Sequence, residues 1–270
     1  MPEGDTIHRT AARLRPALVD GQLLRFEAPR MAGTRPRPGE TVTSVDALGK
    51  HLLIRFSGGL TLETHMRMTG SWHLYRTGER WRKPAHLLRC LVEVPGFQAA
   101  CFSAPVVRTF ATAAEGTSSD PLAHLGPDLA APLPEGVDDL AAEVVAAVLE
   151  RMDAVSDPDR AIGDVLLDQR VGNGIGNVYR SEVCWTCRVS PFRALGSVEV
   201  ATRAALVGTA SRLLRANLAR PDRTTVPGGL AVYGRRGRPC RRCGTRVRSN
   251  DRSEGARVVY WCPTCQASGK

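Results

Sequence analysis

Four cysteines near the end of the 270-residue chain restrict its possible folds more than any other feature. Cys240 and Cys243 form one CxxC pair, Cys262 and Cys265 form a second, and eighteen residues separate the two pairs. Each pair can present two thiolates from one tight turn, and a separation of about 15–20 residues is typical of tetrahedral zinc sites. The spacing therefore predicts a zinc ribbon in which these four side chains hold a structural Zn²⁺.

Disulfide bonds are the alternative for these thiols, but the chain shows no sign of export. Residues 1–5, MPEGD, are acidic and lack the apolar segment of a signal peptide. A cytoplasmic location is therefore expected, and the cytosol keeps thiols reduced. Cys184 and Cys187 form a third CxxC pair with no fourth to complete it, so we expect packing groups there. Cys90 and Cys101 are expected in a core.

The segment that holds the four cysteines is strongly basic. Residues 235–270 carry ten basic and two acidic side chains, which leaves only +2 of the formal net charge of +10 for the rest of the chain. Such density usually marks contact with a polyanion, most often nucleic acid. A solvated, arginine-rich surface is the alternative. Between the cysteine pairs we expect a hairpin, with its turn at residues 249–251 and a strand over 258–261.

The order of patterns along the chain predicts an α+β fold. A helix is expected from Asp5, its N-cap, to Leu18, with Pro16 kinking or shortening it. Short strand-like segments follow up to about residue 110, and four helical patterns cover 140–152, 161–169, 177–187 and 198–218. We predict a β-sandwich domain over 1–112, a linker over 113–136, a helical domain over 137–230 and the zinc ribbon over 231–270. No apolar run approaches the roughly 18 residues of a membrane span.

Three positions suggest chemistry. Removal of Met1 would leave Pro2 as a secondary amine with a pKa near 8, a nucleophile at neutral pH, beside Glu3 as a proton carrier. Lys50 is one of three lysines in an arginine-rich chain and follows Gly49 at a strand entrance. Each has an ordinary alternative, because such chain starts are frequent and a lysine can be surface decoration.

A glycine-rich turn, residues 172–176, leads into a predicted helix that starts at Asn177. Backbone N–H groups at such a junction bind phosphate; a helical hairpin with packing glycines is the alternative. Met68 lies in a turn after a strand-like segment, where a methionine is either core or an apolar wedge between bases.

Together these segments resemble the formamidopyrimidine-DNA glycosylase and endonuclease VIII family of base-excision repair enzymes, and most closely its actinobacterial endonuclease VIII members. The matching text spans nearly the whole chain in the family's order: MPEG (1–4), GKH (49–51), LGPD (125–128), GIGNVYR (174–180) and VYGR (232–235), followed by the four-cysteine finger.

The resemblance implies a bifunctional DNA glycosylase and abasic-site lyase with a helix–two-turn–helix DNA-binding domain, acting as a monomer in the bacterial cytoplasm on double-stranded DNA with damaged bases or abasic sites. Pro2 would attack C1′ and form a Schiff base, with Glu3 relaying protons, before strand cleavage by β- and δ-elimination. Lys50, Asn177 and Arg257 would bind phosphates, and the wedge would be Met68.

The chain also departs from the family. Residues 104–110 lack the Arg-Arg-Phe wedge of the formamidopyrimidine branch. Residues 219–231 look short for the loop that encloses oxidised purines, which favours oxidised pyrimidines or abasic sites. Two alternatives stay open from the sequence: a catalytically inactive, damage-sensing DNA-binding protein on the same scaffold, and a zinc-ribbon transcription or ribosome factor.

Overall fold

The protein is described here by a computed structural model that covers residues 2–250 and 257–267. Its chain divides into two units, residues 1–124 and 125–270. Within the described residues, no helix is long and apolar enough to cross a membrane. The predicted α+β class is confirmed, with antiparallel sheets in the first unit and helices in the second.

One helix and two four-stranded antiparallel sheets form the first unit. The elements are α1 (Gly4–Leu18), β1 (Arg25–Glu27), β2 (Val42–Leu48), β3 (His51–Phe56), β4 (Leu60–His65), β5 (Ser71–Arg76), β6 (Leu88–Val94), β7 (Phe97–Phe102) and β8 (Val106–Ala111). The strand orders are β1-β6-β7-β5 and β2-β3-β4-β8. Both sheets and α1 contribute side chains to one apolar core.

Helix α1 packs through its apolar face. Ile7, Ala11, Leu14 and Leu18 recur at helical spacing, and each is at most 1% exposed. Within one sheet, Cys90 in β6 pairs with Cys101 in the neighbouring β7, and both thiols are fully buried and outside any disulfide. Burial raises the pKa of both groups. The expectation that these two cysteines belong to the core is confirmed.

One expectation about α1 is wrong. The N-cap is Glu3, not Asp5, which lies buried inside the first turn. Pro16 does not shorten the helix, which reaches Leu18 as its apolar pattern predicted. Proline removes the hydrogen bond to the carbonyl four residues earlier, but Ala12 and Pro16 are both exposed, so water can solvate that carbonyl at little cost.

Helices dominate the second unit. The elements are α2 (Ala142–Asp153), α3 (Ile162–Val165), α4 (Asn177–Thr186), α5 (Val200–Arg215), β9 (Arg248–Asn250) and β10 (Val259–Trp261). The helix predicted over 161–169 ends early, at Val165, because Asp168 accepts hydrogen bonds from Arg160 and Arg170 in a following turn. Part of the predicted linker is buried, since Leu129 and Ala130 belong to the helical core.

Strands β9 and β10 form the predicted antiparallel ribbon. Ser249 and Asn250, expected in its turn, instead lie in β9 and pair with Tyr260 and Val259. Asp251, the third residue of that expected turn, lies outside the described residues. Cys184 and Cys187 on α4 are separate from the ribbon cysteines: Cys184 is fully buried, which raises the pKa of its thiol to about 12. Their predicted role as packing groups is confirmed.

Candidate active site and nucleic-acid interface

Pro2 and Glu3 lie at the N-terminus of α1. Pro2 is partly exposed, whereas Glu3 is 0% exposed. The carbonyl of Glu3 accepts hydrogen bonds from the backbone N–H groups of Thr6 (2.9 Å) and Ile7 (3.2 Å), which fixes the backbone at the start of the helix. The partial positive charge of a helix N-terminus favours a carboxylate there and disfavours a second positive charge. An amine at Pro2 would therefore stand accessible beside a buried carboxyl group.

Lys50 occupies the two-residue turn between β2 and β3. Leu48 and His51 pair across this turn. Gly49 has a φ of +55°, a backbone conformation that residues other than glycine rarely adopt. The predicted position of Lys50, after Gly49 at a strand entrance, is confirmed. The turn holds the lysine partly exposed at the end of the sheet.

A buried carboxylate next to this turn was missed by the sequence analysis. Glu63 in β4 is 1% exposed at its side chain; its Oε1 lies 2.8 Å from Nδ1 of His51, and Nε of Arg108 donates to its Oε2. Burial alone would raise the pKa of Glu63, but the hydrogen bonds from His51 and Arg108 outweigh it, so the pKa lies below its ordinary value. The only sequence signal for this buried carboxylate was a charged residue within a segment predicted to be a strand.

The imidazole of His65 belongs to the same cluster. Its ring centroid lies 4.7 Å from that of His51. Burial, followed by the positive charges of His51, Lys50 and Arg67, lowers the pKa of His65 from about 6.5 to about 4. At neutral pH this end of the sheet therefore presents Lys50 beside an uncharged imidazole.

Met68 projects from the loop between β4 and β5 and is 69% exposed. A hydrogen bond anchors this loop to the residue that follows β7: Oγ1 of Thr69 donates to the Ser103 carbonyl at 2.9 Å. A Cβ on Gly70 would lie 2.7 Å from backbone atoms of Met66, so only glycine fits there. A rigid loop thus presents one large apolar side chain to solvent. Arg108, the arginine within the 104–110 segment that lacks the Arg-Arg-Phe wedge, lies on β8 and donates a hydrogen bond to Glu63.

In the second unit, Asn177 and Arg257 are brought together by Arg180. Asn177 is the first residue of α4 and is 7% exposed. Its Oδ1 accepts a hydrogen bond from Arg180, and its Nδ2 donates to the Val258 carbonyl at 2.9 Å. Arg180 also donates to the Arg257 carbonyl at 3.2 Å. The α4 N-terminus is therefore joined to the residues that lead into β10, among them Arg257, whose side chain is exposed.

Arg180 is 0% exposed and completes this arrangement through Asp164, whose Oδ1 accepts from its guanidinium at 2.9 Å. Arg180 lies in the motif at residues 174–180, for which only phosphate binding near Asn177 was predicted. A fully buried guanidinium with three different acceptors orients groups around it, and no sequence pattern distinguishes it from a surface arginine.

The four ribbon cysteines converge as predicted. Their sulfur atoms lie within 4.8 Å of one another, with 4.0 Å between Cys240 and Cys265 and 3.5 Å between Cys243 and Cys262. Tetrahedral zinc with Zn–S bonds near 2.3 Å places its sulfurs about 3.8 Å apart. The donor set and its spacing therefore fit Zn²⁺. Nε1 of Trp185 on α4 lies 3.3 Å from Sγ of Cys240, the kind of hydrogen bond that supports a thiolate ligand.

Two family models match the chain. The N-terminal domain model of formamidopyrimidine-DNA glycosylase matches residues 1–111, and the H2TH domain model of formamidopyrimidine-DNA glycosylase matches residues 136–226.

Curated relatives match over nearly the whole chain. The Probable endonuclease 8 2 of Streptomyces coelicolor is 44% identical over 99% of this chain and 94% of its own length. The DNA-(apurinic or apyrimidinic site) lyase Nei2 of Mycolicibacterium smegmatis is 38% identical over 99% and 100%. Endonuclease 8 of Escherichia coli is 30% identical over 98% and 100%.

Solved structures share the fold. The MutM (Fpg) protein of Thermus thermophilus matches with a TM-score of 0.77 at 27% identity, covering all of both chains. The Lactococcus lactis formamidopyrimidine-DNA glycosylase, bound non-covalently to DNA containing an abasic site, matches with a TM-score of 0.79 at 20% identity, covering 98% of this chain and 100% of that one.

Proposed function

The chain belongs to the formamidopyrimidine-DNA glycosylase family, and we propose that it removes damaged bases from DNA and cleaves the strand with Pro2 as nucleophile. The resemblance recognised in the sequence is thereby confirmed, including the likeness to actinobacterial endonuclease 8 proteins. Its activity class is DNA glycosylase and abasic-site lyase, in DNA repair.

The observation that carries the mechanism is the pairing of a partly exposed Pro2 with a fully buried Glu3 at the N-terminus of α1. After Met1 is removed, the Pro2 nitrogen attacks C1′ of the damaged nucleotide and the bond from C1′ to the base breaks. Glu3 protonates the sugar ring oxygen, the ring opens, and an iminium forms between Pro2 and C1′. The iminium withdraws electrons, so loss of the C2′ proton expels the 3′ phosphate, and a further elimination expels the 5′ phosphate.

Four further side chains position the DNA in this proposal. Lys50, held in its turn, binds the phosphate beside the lesion. Met68 enters the space that the flipped nucleotide leaves, which lowers the cost of unstacking, a few kcal/mol. Asn177 and Arg257 bind backbone phosphates; the bonds from Arg180 support this role because they fix the side-chain amide of Asn177 and the backbone at Arg257. None of these contacts reads base sequence.

Oxidised pyrimidines and abasic sites are the proposed substrates. Residues 219–231 follow α5, where the family's purine-enclosing loop is expected, and hydrogen bonds hold the C-terminal part of this segment in place. Arg241 donates to the carbonyls of Pro227, Gly228 and Leu230, and the Glu182 carboxylate accepts the backbone N–H groups of residues 231–233. A short, bound segment of this kind favours the smaller lesions.

A structural Zn²⁺ held by the four ribbon cysteines would fold the ribbon and so hold Arg257 in place. The metal takes no part in the chemistry at Pro2 in this proposal. Zinc bound by four thiolates has no open position for substrate or water.

Borohydride reduction tests the nucleophile. Protein shown by mass spectrometry to lack Met1 is incubated with abasic-site DNA and borohydride, and we expect a covalent protein–DNA adduct. Pro2→Gln has a large second residue, so Met1 is retained and no amine is left at position 2; it should reduce adduct formation by about 100-fold or more, a loss typical of removing a catalytic group. Pro16→Ala, at the exposed end of the same helix, is the matched control and should form the adduct normally. No adduct from correctly processed wild-type protein would refute the mechanism.

Turnover on dihydrothymine-, 8-oxoguanine- and abasic-site duplexes tests the substrate class. We expect faster release of dihydrothymine than of 8-oxoguanine, and the reverse order would overturn the pyrimidine preference while leaving the nucleophile in place.

A further inference from the structure

A second concentration of positive charge lies in the first unit, away from the ribbon sequence. We name residues 76–87, which join β5 to β6, the basic loop. Its exposed side chains include three arginines, a lysine and a histidine: Arg76, Arg80, Arg82, Lys83 and His86. Its single acid, Glu79, accepts a hydrogen bond from the backbone N–H of Arg76 at 3.0 Å. With histidine counted as neutral, the loop contributes +3 of the first unit's formal net charge of +5.

The backbone of the basic loop is anchored to the sheet beneath it. Nε1 of Trp81 donates a hydrogen bond to Oε1 of Gln98 at 3.1 Å. The Trp81 ring packs edge-on against the ring of Phe102, with 5.6 Å between the ring centroids. The backbone N–H of Arg82 donates to the hydroxyl of the buried Tyr75 at 3.1 Å. Binding through an anchored loop sacrifices less conformational freedom than binding through a mobile one.

The cations of this loop share a face with α1. Burial, then the charges of Arg13, Lys83 and Arg82, lowers the pKa of His73 on β5. Arg13 belongs to α1, so cations from the helix and from the loop surround one imidazole. Among the described residues, the side chains of Arg82 and Lys83 form no ion pair, and their charge is available to a ligand.

The basic loop is also continuous with the loop that carries Met68. The Leu87 carbonyl accepts a hydrogen bond from the Ser103 N–H at 2.9 Å, and the Ser103 carbonyl accepts one from Thr69 at 2.9 Å. Two hydrogen bonds thus connect the end of the basic loop to the residue next to Met68. DNA that receives Met68 would extend toward the basic loop.

The chemistry of the loop selects nucleic acid over an acidic protein. Protein interfaces centre on buried aromatic or aliphatic anchors, whereas none of the large exposed apolar side chains of the described residues lies in 76–87. Charge without apolar anchors suits the phosphate backbone of a duplex, where neutralised phosphates release counterions.

We propose that the basic loop binds the phosphate backbone of duplex DNA beside the lesion, which rests on the proposed function. The six residues of β5 separate the Met68 end of the sheet from Arg76 by about 17 Å at 3.3 Å per residue. At about 3.4 Å per base pair, the contacted phosphates lie within about five base pairs of the lesion, on one side. The loop thereby lengthens the DNA footprint without reading sequence.

The test compares two double variants. Arg82→Gln/Lys83→Gln removes two cations of the basic loop, and Arg30→Gln/Arg37→Gln removes two exposed cations elsewhere in the first unit. Affinity for a central abasic-site duplex of about 20 base pairs is measured against salt concentration, where each lost phosphate contact lowers the slope by about 0.9. The measurement is repeated on duplexes with only about three base pairs on one side or the other of the lesion.

On the long duplex, we expect the loop variant to bind about tenfold more weakly than wild type. Its slope of log affinity against log salt concentration should be smaller in magnitude by about one to two, and the control should keep the wild-type affinity and slope. On one of the two shortened duplexes the difference between loop variant and wild type should vanish. A wild-type slope in the loop variant, an equal loss in the control, or an undiminished difference on both shortened duplexes would overturn the proposal. Borohydride adducts at saturating protein report separately on the proposed function and should be unchanged by the loop variant.

Discussion

The guanidinium of Arg180 bonds Asp164, Asn177 and the Arg257 carbonyl while fully buried. A buried charge that loses its partner is costly, about 3–5 kcal/mol. Arg180→Met should therefore lower the free energy of unfolding by about that amount, measured by urea denaturation. Adding Asp164→Leu should recover part of the loss, because the second substitution removes the stranded carboxylate. A double variant as unstable as the sum of both single variants would show that the pair is not coupled.

Two histidines make the stability of the chain sensitive to mild acid. The folded-state pKa of His65 is lowered to about 4, and that of His73 is also lowered, both mainly by burial. As the pH falls below about 6.5, the unfolded chain therefore binds protons that the folded chain does not, and stability decreases until the folded pKa is reached. The lowered pKa of Glu63 acts in the same direction at lower pH, since its contribution is lost as the carboxylate becomes protonated.

Thermal unfolding between pH 6.5 and 5 measures this effect, because few carboxylates titrate there. Allowing for partial exposure of the ring, His65 should account for about 1–2 kcal/mol of stability lost over this range. His65→Gln should remove most of that pH dependence, whereas His124→Gln, at an exposed position, should leave it intact. An unchanged pH profile in His65→Gln would contradict the assignment.

Among the elements, the Met68 loop depends on one glycine. A Cβ on Gly70 would lie 2.7 Å from backbone atoms of Met66 and 3.0 Å from Cα of Ala104, so Gly70→Ala must displace the loop. We expect about 1–3 kcal/mol of destabilisation, the range for overpacking, and slower release of damaged bases with little change in cleavage at abasic sites, which need no base removed. Gly208→Ala on α5, where a Cβ meets nothing within 4 Å, should instead stabilise by about 0.5–1 kcal/mol. Equal losses of both activities in Gly70→Ala would contradict a wedge role for Met68.

The elements also show what sequence patterns could and could not predict. Helix α4 could be predicted from its local periodicity, and the convergence of the ribbon cysteines from their spacing, because both patterns are visible in a short stretch of sequence. The buried Glu63 depends on His51 and Arg108, and the buried Arg180 depends in part on Asp164 and Arg257; these partners lie 12 to 77 residues away, and no local pattern encodes such pairing. Two predicted boundaries were wrong for a related reason. The hydrogen bonds of Asp168 follow the early end of α3 at Val165, and pairing with β10 places Ser249 in a strand instead of a turn.

Across the whole molecule, each unit has its own main apolar core, the first unit has a second cluster around Tyr75 and Phe102, and the ribbon has a small one around Trp185, Val232 and Val247. The small core contains two of the cysteines, Cys240 and Cys262. Loss of the metal should therefore unfold the ribbon while the larger cores persist, because a unit this small depends on its metal. The charge distribution adds a functional consequence, since the ribbon segment holds +8 of the net charge of +10.

Cys262→Ser should consequently separate DNA affinity from the chemistry at Pro2. We expect loss of bound zinc by elemental analysis, altered tryptophan fluorescence as Trp185 is uncovered, a lower salt slope of DNA affinity, and at least about tenfold weaker binding. The borohydride adduct should still form at saturating protein, because Pro2 and Glu3 belong to the other unit. Cys187→Ser, in the CxxC pair that lies outside the ribbon, is the matched control and should keep both zinc and affinity. If zinc-free Cys262→Ser protein kept the wild-type salt slope, the ribbon would not be part of the DNA interface. If the adduct no longer formed at saturating protein, the ribbon would also be needed for the chemistry at Pro2.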